Sequence, residues 1–257
     1  MCKIPPKLAN PPIVEAVLDI DCDMPPTLDW AALKESAKSA YQDRYPKLQI
    51  VFAQSLQIEK LSGEPPAPQA MGKTQAYQFF QEDTKQLVQV RSQGFSFNRL
   101  APYSTLDDYL PEIERTWKLF VGFAGPRLIR TIRLHYINQI VLPQEGRTLN
   151  LGKYFKTSLR PPDESNLSIT GFLNQHSVVE QGTGNQANIV LTTLPFESGM
   201  LPLILDIEVM HRADSEVDNW DWIAEKIRSL RDLKNRIFRG TLTDECLRLF
   251  QKPTERP

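Results

Sequence analysis

Gly125-Pro126 divides the chain into two stretches in which strand-like and helix-like segments follow the same order. In the first stretch, alternation of apolar residues predicts a strand over Ile13–Ile20, and apolar residues at helical spacing predict a helix that Pro46 ends. Three strand-like runs follow, the last two as one hairpin around 82–85. A second helix, with Ser104 as its N-cap, then reaches Gly125-Pro126.

The second stretch begins with a long strand at 127–143 and a short helical segment around 149–157. Three more strand-like runs lead to a closing helix over 220–239, whose apolar positions recur at helical spacing. Both stretches therefore have the order β-α-β-β-β-α.

This repeated order predicts an α+β fold made of two related halves. We expect residues 1–125 and 126–257 to share one broad antiparallel sheet with the helices packed on one face. The halves are either two domains or parts of one continuous domain, and the chain length is compatible with both.

The composition is that of an ordinary globular protein, with 41% hydrophobic and 24% charged residues. No run approaches the roughly 18 apolar residues of a membrane span, so we expect no membrane association. Thirty basic and 31 acidic residues give a net charge of −1, which excludes a global attraction to nucleic acid. The three cysteines are scattered and no signal segment is evident, which favours a bacterial-type cytoplasm.

Familiar catalytic and cofactor-binding motifs are absent from the sequence. It contains no P-loop, no G-x-S-x-G and no H-E-x-x-H, and the Gly182-Thr183-Gly184-Asn185 segment is typical of a hairpin turn. The three histidines are too widely spaced for a simple zinc motif. The sequence therefore predicts no cofactor and no metal, and favours a non-catalytic protein over an enzyme.

Several phrases resemble a sporadically distributed bacterial family of uncharacterised proteins of similar length. In chain order they are LANPPIVEAVLDI, FSFNRLAPY, RLHYINQI, LDIEV and LKNRIFRGTLTDEC. The resemblance implies a bacterial cytoplasmic protein, and its patchy distribution suggests a defence or toxin–antitoxin type locus. It implies no reaction. The polar members of these phrases are Glu15, Asn98, Arg99, Tyr136, Asn138, Asp206, Lys234 and Asn235.

The candidate binding residues combine these positions with the basic and aromatic strand at 127–143. They are Glu15, Arg99, Arg133, His135, Asn138, Asp206, Lys234 and Asn235.

Paired carboxylates on predicted strands have two interpretations. Glu15 with Asp19, and Asp206 with Glu208, project from one face of their strands and could bind a divalent cation or act as acid and base. Alternatively they pair with arginines on neighbouring strands, which the sequence favours. We expect Glu15 to be at least half buried and to pair with Arg133.

Two further surfaces admit more than one interpretation. Arg133 and His135 share one face of their strand and could contact phosphate or single-stranded nucleic acid, although a structural role for His135 is favoured. The closing helix carries six basic residues, which either form a nucleic-acid surface or suit the helix dipole. These are Lys226, Arg228, Arg231, Lys234, Arg236 and Arg239.

The sequence thus favours a non-catalytic protein-interaction or binding protein with a protein partner. We also expect a homodimer, because exposed sheet edges are natural pairing surfaces. The alternatives are a metal-dependent enzyme of nucleotide or nucleic-acid chemistry that uses the strand carboxylates, and a nucleic-acid binder through the basic helix 220–239.

Overall fold

The structure, a computed structural model, describes residues 8–52, 74–143, 151–156, 171–195 and 200–251. These residues contain nine strands and four α-helices. The strands are β1 (Ile13–Cys22), β2 (Lys47–Phe52), β3 (Thr74–Phe80), β4 (Gln86–Arg91), β5 (Gly94–Leu100), β6 (Leu128–Pro143), β7 (Leu173–Val179), β8 (Gln186–Thr193) and β9 (Met200–Glu216). The helices are α1 (Trp30–Tyr41), α2 (Leu106–Ala124), α3 (Trp220–Thr241) and α4 (Asp244–Leu249).

All nine strands form one sheet in the order β2-β3-β4-β5-β1-β6-β9-β8-β7. Every neighbouring pair is antiparallel. The central pair, β1 and β6, joins the strands that begin the two stretches of the chain. The predicted α+β class and the broad antiparallel sheet are therefore confirmed.

One face of the sheet is covered by helices α1, α2 and α3, which form the hydrophobic core with it. Phe95 of β5 lies edge-on to Trp117 of α2, with ring centroids 5.6 Å apart. The ring of Tyr41 in α1 packs against that of Phe79 in β3, with ring centroids 5.5 Å apart. The other face carries no helix among the described residues, so its polar side chains remain partly accessible.

The predicted two-stranded hairpin around 82–85 is part of a larger unit of three antiparallel strands, β3, β4 and β5. The run after it turns once more at Ser92-Gln93 and gives two strands, β4 and β5. Gly94 makes this turn possible, because its φ of +143° suits glycine, and an added Cβ would lie 2.1 Å from the backbone oxygen of Ile20. The first half therefore has four strands after its first helix, not three.

The second half also differs from its prediction. Between β6 and β7, the described residues show a single 3-10 turn at Leu151–Lys153 instead of a longer helical segment. The remainder of the predicted segment, 149–150 and 157, lies outside the described residues. No helix in the described ranges is long and apolar enough to cross a membrane.

Candidate functional site

The sheet separates the eight candidate residues into two groups on its opposite faces. Side chains alternate along each strand, so neighbours such as His135 and Tyr136 of β6 point to different faces. Glu15, Arg133, His135 and Asp206 lie on the helix-free face, which we call the open face. Arg99, Asn138, Lys234 and Asn235 lie on the helix-covered side.

On the open face, two arginines lie among the carboxylates. The Arg91 guanidinium is 2.8 Å from Asp21 and 3.4 Å from Asp19. The Arg133 guanidinium is 3.2 Å from Asp21, and its Nε is 3.6 Å from Glu208. The interpretation of these carboxylates as partners of arginines is confirmed for this cluster.

Glu15 does not pair with Arg133, so that prediction is wrong. The strand register places Glu15 opposite Ile137, whereas Arg133 lies opposite Asp19. Asn98 Nδ2 instead donates a 2.8 Å hydrogen bond to Glu15 Oε1. The partly buried carboxylate is thus compensated by a neutral amide.

His135 and Asp206 form a pair on adjacent strands, with Nε2 and Oδ1 2.5 Å apart. The hydrogen bond that the protonated His135 ring donates to Asp206 raises the pKa of His135, although burial opposes the increase. No Ser or Cys nucleophile lies in a described hydrogen bond with His135. The pair is a cross-strand contact between β6 and β9, and the structural role of His135 stays a prediction.

The open face offers little support for a metal site. Among the described residues, no group of three or more His, Cys, Asp or Glu side chains is arranged to hold a metal ion. Arg91 and Arg133 occupy the positions among the carboxylates where a bound cation would be needed.

A cavity of about 610 Å³ lies on the helix-covered side. Its walls come from the segment entering β1, the start of α2, β6 and the second half of α3. Lys234, Asn235 and Asn138 all line it, so three of the eight candidates meet at one place. We call this space the Lys234 cavity. Its volume is within the range of small-molecule binding sites, about 300–1,000 Å³.

Lys234 is the unusual residue of this cavity. It is 8% exposed, and its Nζ lies 4.0 Å from the centre of the Tyr136 ring. Among the described residues it has no carboxylate partner and no hydrogen bond. Burial, together with the charges of Arg231 and Arg239, lowers the pKa of Lys234 to about 7. A buried lysine is normally paired, so this amine lacks the usual compensation.

Other basic residues near the cavity have acidic partners. Arg231 Nη1 contacts both carboxylate oxygens of Asp107 at 2.9 Å, and its Nε contacts Asp232 at 3.0 Å. Arg236 pairs with Glu180. The basic surface predicted for helix 220–239 is thus partly neutralised, and Lys234 points inward instead of belonging to it.

The N-terminus of α2 forms another wall of the Lys234 cavity. Thr105, not the predicted Ser104, is the N-cap, and its side chain makes no capping hydrogen bond. Ser104 Oγ instead donates to the Tyr109 hydroxyl at 2.9 Å or accepts from it. The first turn of a helix carries partial positive charge and favours anions.

Two tyrosine hydroxyls also face this space. Those of Tyr103 and Tyr136 are 3.2 Å apart, and both residues line the cavity. Burial raises the pKa of Tyr136 to about 12 and that of Tyr103 still further, so both hydroxyls stay protonated at neutral pH.

Arg99 lies near the Lys234 cavity but not in it. Its guanidinium stacks 5.3 Å from the centre of the Tyr109 ring. It lines a smaller space that shares Tyr103 and Tyr136 with the larger one.

Sequence reasoning missed Tyr103, Arg231 as a wall residue, and the start of α2. Tyr103 ends the FSFNRLAPY phrase, and its position just before a predicted helix was the available signal. The convergence of this segment on α3 requires the tertiary fold, because the two are more than a hundred residues apart.

Comparisons of the chain with protein-family models, with curated proteins and with solved structures gave no match. What the Lys234 cavity can bind is therefore inferred from its own residues.

Proposed function

We propose that this protein is a binding protein that holds a small anionic molecule in the Lys234 cavity. The observation that carries the proposal is a buried lysine, without an acidic partner among the described residues, that lines a cavity of about 610 Å³. A bound anion would supply the missing counter-charge. Buried charges are retained when such compensation is available.

The surroundings of Lys234 favour an anion over a cation. Four basic residues line the cavity, Arg231, Lys234, Arg236 and Arg239, against the lining carboxylates Asp107 and Asp232 and the Glu180 carboxylate that pairs with Arg236. The first turn of α2 adds the partial positive charge of a helix N-terminus, which Asp107 and Asp108 in the same turn offset in part. An anion with several acceptor oxygens, such as a phosphate or carboxylate group, matches these donors.

Sulfate is a suitable probe, because its charge stays constant where Lys234 titrates. We expect sulfate to raise the melting temperature relative to chloride at equal ionic strength, since a ligand that binds the native state stabilises it. The charged and titratable groups that line the cavity with Lys234 are Arg231, Arg236, Arg239, Asp107, Asp232, Tyr103 and Tyr136. The pKa of Lys234 is lowered to about 7, which is close to neutrality.

The effect of pH follows from the Lys234 pKa of about 7. Below that pH, Lys234 is already protonated in the protein without ligand. Above it, Lys234 is mostly neutral, so binding of an anion requires Lys234 to take up a proton. Sulfate affinity should therefore fall by up to about tenfold per pH unit between about pH 7 and pH 9. Lys234→Met should remove the effect, and Lys226→Met, on the same helix but outside the cavity, should keep it. A sulfate effect unchanged in Lys234→Met would contradict the proposal.

The internal duplication is a second, separate proposal. Each half contributes four strands that follow one order outward from the centre, β1-β5-β4-β3 and β6-β9-β8-β7. In each half a long helix, α2 or α3, follows the last strand, although α4 comes after α3 in the second half. These correspondences support a common origin for the two halves, while β2 and α1 have no described counterpart. An experimental structure in which the strands of the halves do not superpose would count against it.

The family resemblance, the bacterial cytoplasm and a protein partner from a defence or toxin–antitoxin type locus remain predictions from the sequence. A partner protein and an anionic ligand are compatible, because the open face and the Lys234 cavity lie on opposite sides of the sheet. Pull-down with the tagged full chain would test the partner separately from sulfate binding.

A further inference from the structure

Lys234 differs from a lysine that merely attracts phosphate. Such a lysine is charged and reaches into solvent, whereas the Lys234 side chain is buried against the face of the Tyr136 ring. It also lies near two like charges, Arg231 and Arg239. Desolvation and neighbouring cations are the two conditions that activate lysine amines as nucleophiles.

Building on the proposed ligand site, we propose that Lys234 forms an imine with the carbonyl group of an anionic ligand. The ligand class is an aldehyde or ketone that also carries a phosphate or carboxylate group. In this arrangement the anionic group contacts the arginines of α3 that line the cavity and the start of α2, and the carbonyl carbon lies next to Lys234 Nζ.

The chemistry balances without any further reactant. The lone pair of Lys234 Nζ attacks the carbonyl carbon, forming a carbon–nitrogen bond, and a proton moves from nitrogen to the former carbonyl oxygen. The carbinolamine then loses its hydroxyl group together with the remaining proton of the nitrogen as water, and a carbon–nitrogen double bond remains. Water release reverses on hydrolysis, so the imine is a reversible form of binding.

The Tyr103 and Tyr136 hydroxyls are suited to donate a hydrogen bond to the carbonyl oxygen of the ligand. In their 3.2 Å hydrogen bond one hydroxyl donates to the other. The accepting hydroxyl keeps its own proton, which is available for the ligand oxygen. Both hydroxyls line the same cavity as Lys234.

A neutral amine is available at physiological pH. With a pKa of about 7, close to half of Lys234 is unprotonated at pH 7. An ordinary lysine, with a pKa of about 10.4, is unprotonated in only about one molecule in 2,500. We therefore expect aldehydes and ketones to react selectively with Lys234 at neutral pH.

Reductive trapping on the wild-type chain tests this inference. The protein is incubated at about pH 7 with pyridoxal 5′-phosphate and cyanoborohydride, which reduces an imine to a stable secondary amine. Peptide mass spectrometry then gives the modification rate of each lysine. We expect Lys234 to react at least about tenfold faster than every other lysine, from its larger neutral fraction. Reaction at Lys234 no faster than at exposed lysines would overturn the proposal.

Two comparisons separate the imine from anion binding. Pyridoxal, which lacks the phosphate, should modify Lys234 more slowly, and sulfate should slow the phosphate form. Stabilisation by sulfate without preferred trapping at Lys234 would overturn the imine and leave the anion site standing. Preferred trapping that neither the phosphate nor sulfate affects would uphold the imine and contradict the anion site.

Lys226→Met serves as the matched control, because Lys226 lies on the same helix against the Trp222 ring and outside the cavity. In the Lys226→Met variant, Lys234 should be modified at the same rate as in the wild type. A loss of Lys234 trapping in this variant would contradict an assignment to the cavity.

Discussion

At the scale of single residues, Lys234 should lower the stability of the fold. Its pKa is about 7 in the folded chain and about 10.4 when unfolded, so the unfolded state holds the proton more tightly. The penalty is complete at and below about pH 7 and disappears as the pH rises towards 10.4. A residue that costs stability in this way is typical of functional sites.

We therefore predict that Lys234→Met stabilises the protein at about pH 7, by about 2–5 kcal/mol. Methionine has a similar length and carries no charge to desolvate. Urea unfolding at about pH 7 and about pH 9.5 measures the effect, and the gain should shrink at the higher pH. A variant that is less stable than the wild type at both values would show that the amine makes stabilising contacts.

Three of the candidate residues, Asn138, Lys234 and Asn235, line one cavity, whereas the expected partner of Glu15 was wrong. Lys234 and Asn235 were selected, but Lys234 was also counted among the exposed cations of helix 220–239. Glu15 was expected to contact Arg133, yet the pairing register sets Arg133 against Asp19. Register depends on contacts between distant strands, so it could not be obtained from residues near Glu15 alone.

At the scale of elements, Gly94 is the residue on which the β4–β5 turn depends. Its φ of +143° and the proximity of Ile20 leave no room for a side chain. This turn was missed because a continuous run of alternating residues resembles one long strand.

We predict that Gly94→Ala destabilises the fold by at least about 2 kcal/mol, since the clash is with backbone that cannot move aside. Gly122→Ala is the matched control, because Gly122 lies inside α2 with nothing within 4 Å of an added Cβ. The control should be neutral or more stable by up to about 1 kcal/mol. Thermal unfolding of both variants gives the comparison, and equal effects at the two sites would contradict the role assigned to Gly94.

At the scale of the whole molecule, fold class followed from local patterns but strand order did not. Alternation within Ile13–Ile20 and helical spacing after Trp220 are local properties of the sequence. The adjacency of β1 to β6, over one hundred residues apart, comes from long-range pairing. The Lys234 cavity exists only because that pairing brings α3 beside the start of α2.

Within the described residues the sheet has two edge strands, β2 and β7, and the exposed apolar side chains of β7 are the more accessible. Leu173 is 68% exposed and Val179 is 62% exposed. An edge of this kind pairs readily with a second strand. We predict a homodimer in which β7 strands of two copies pair, giving twice the monomer mass of 29.4 kDa by light scattering at tens of micromolar.

Val179→Lys should shift that dimer to the monomer, because charged side chains block edge pairing. Leu249→Lys, at an exposed apolar residue on α4, is the control and should leave the mass unchanged. A monomeric wild type, or a dimer that survives Val179→Lys, would rule out this interface.

The proposed anion site depends most on the ionisation of Lys234, which nuclear magnetic resonance measures directly. With ¹³C-labelled lysine, the ε-methylene signals of the full chain are followed as the pH is raised, and Lys234→Met identifies the signal of interest. We predict that this signal titrates with a pKa near 7 and that sulfate raises this pKa. A Lys234 pKa near the ordinary value of about 10.4 would show an amine with a counter-ion in the fold, and would contradict the account.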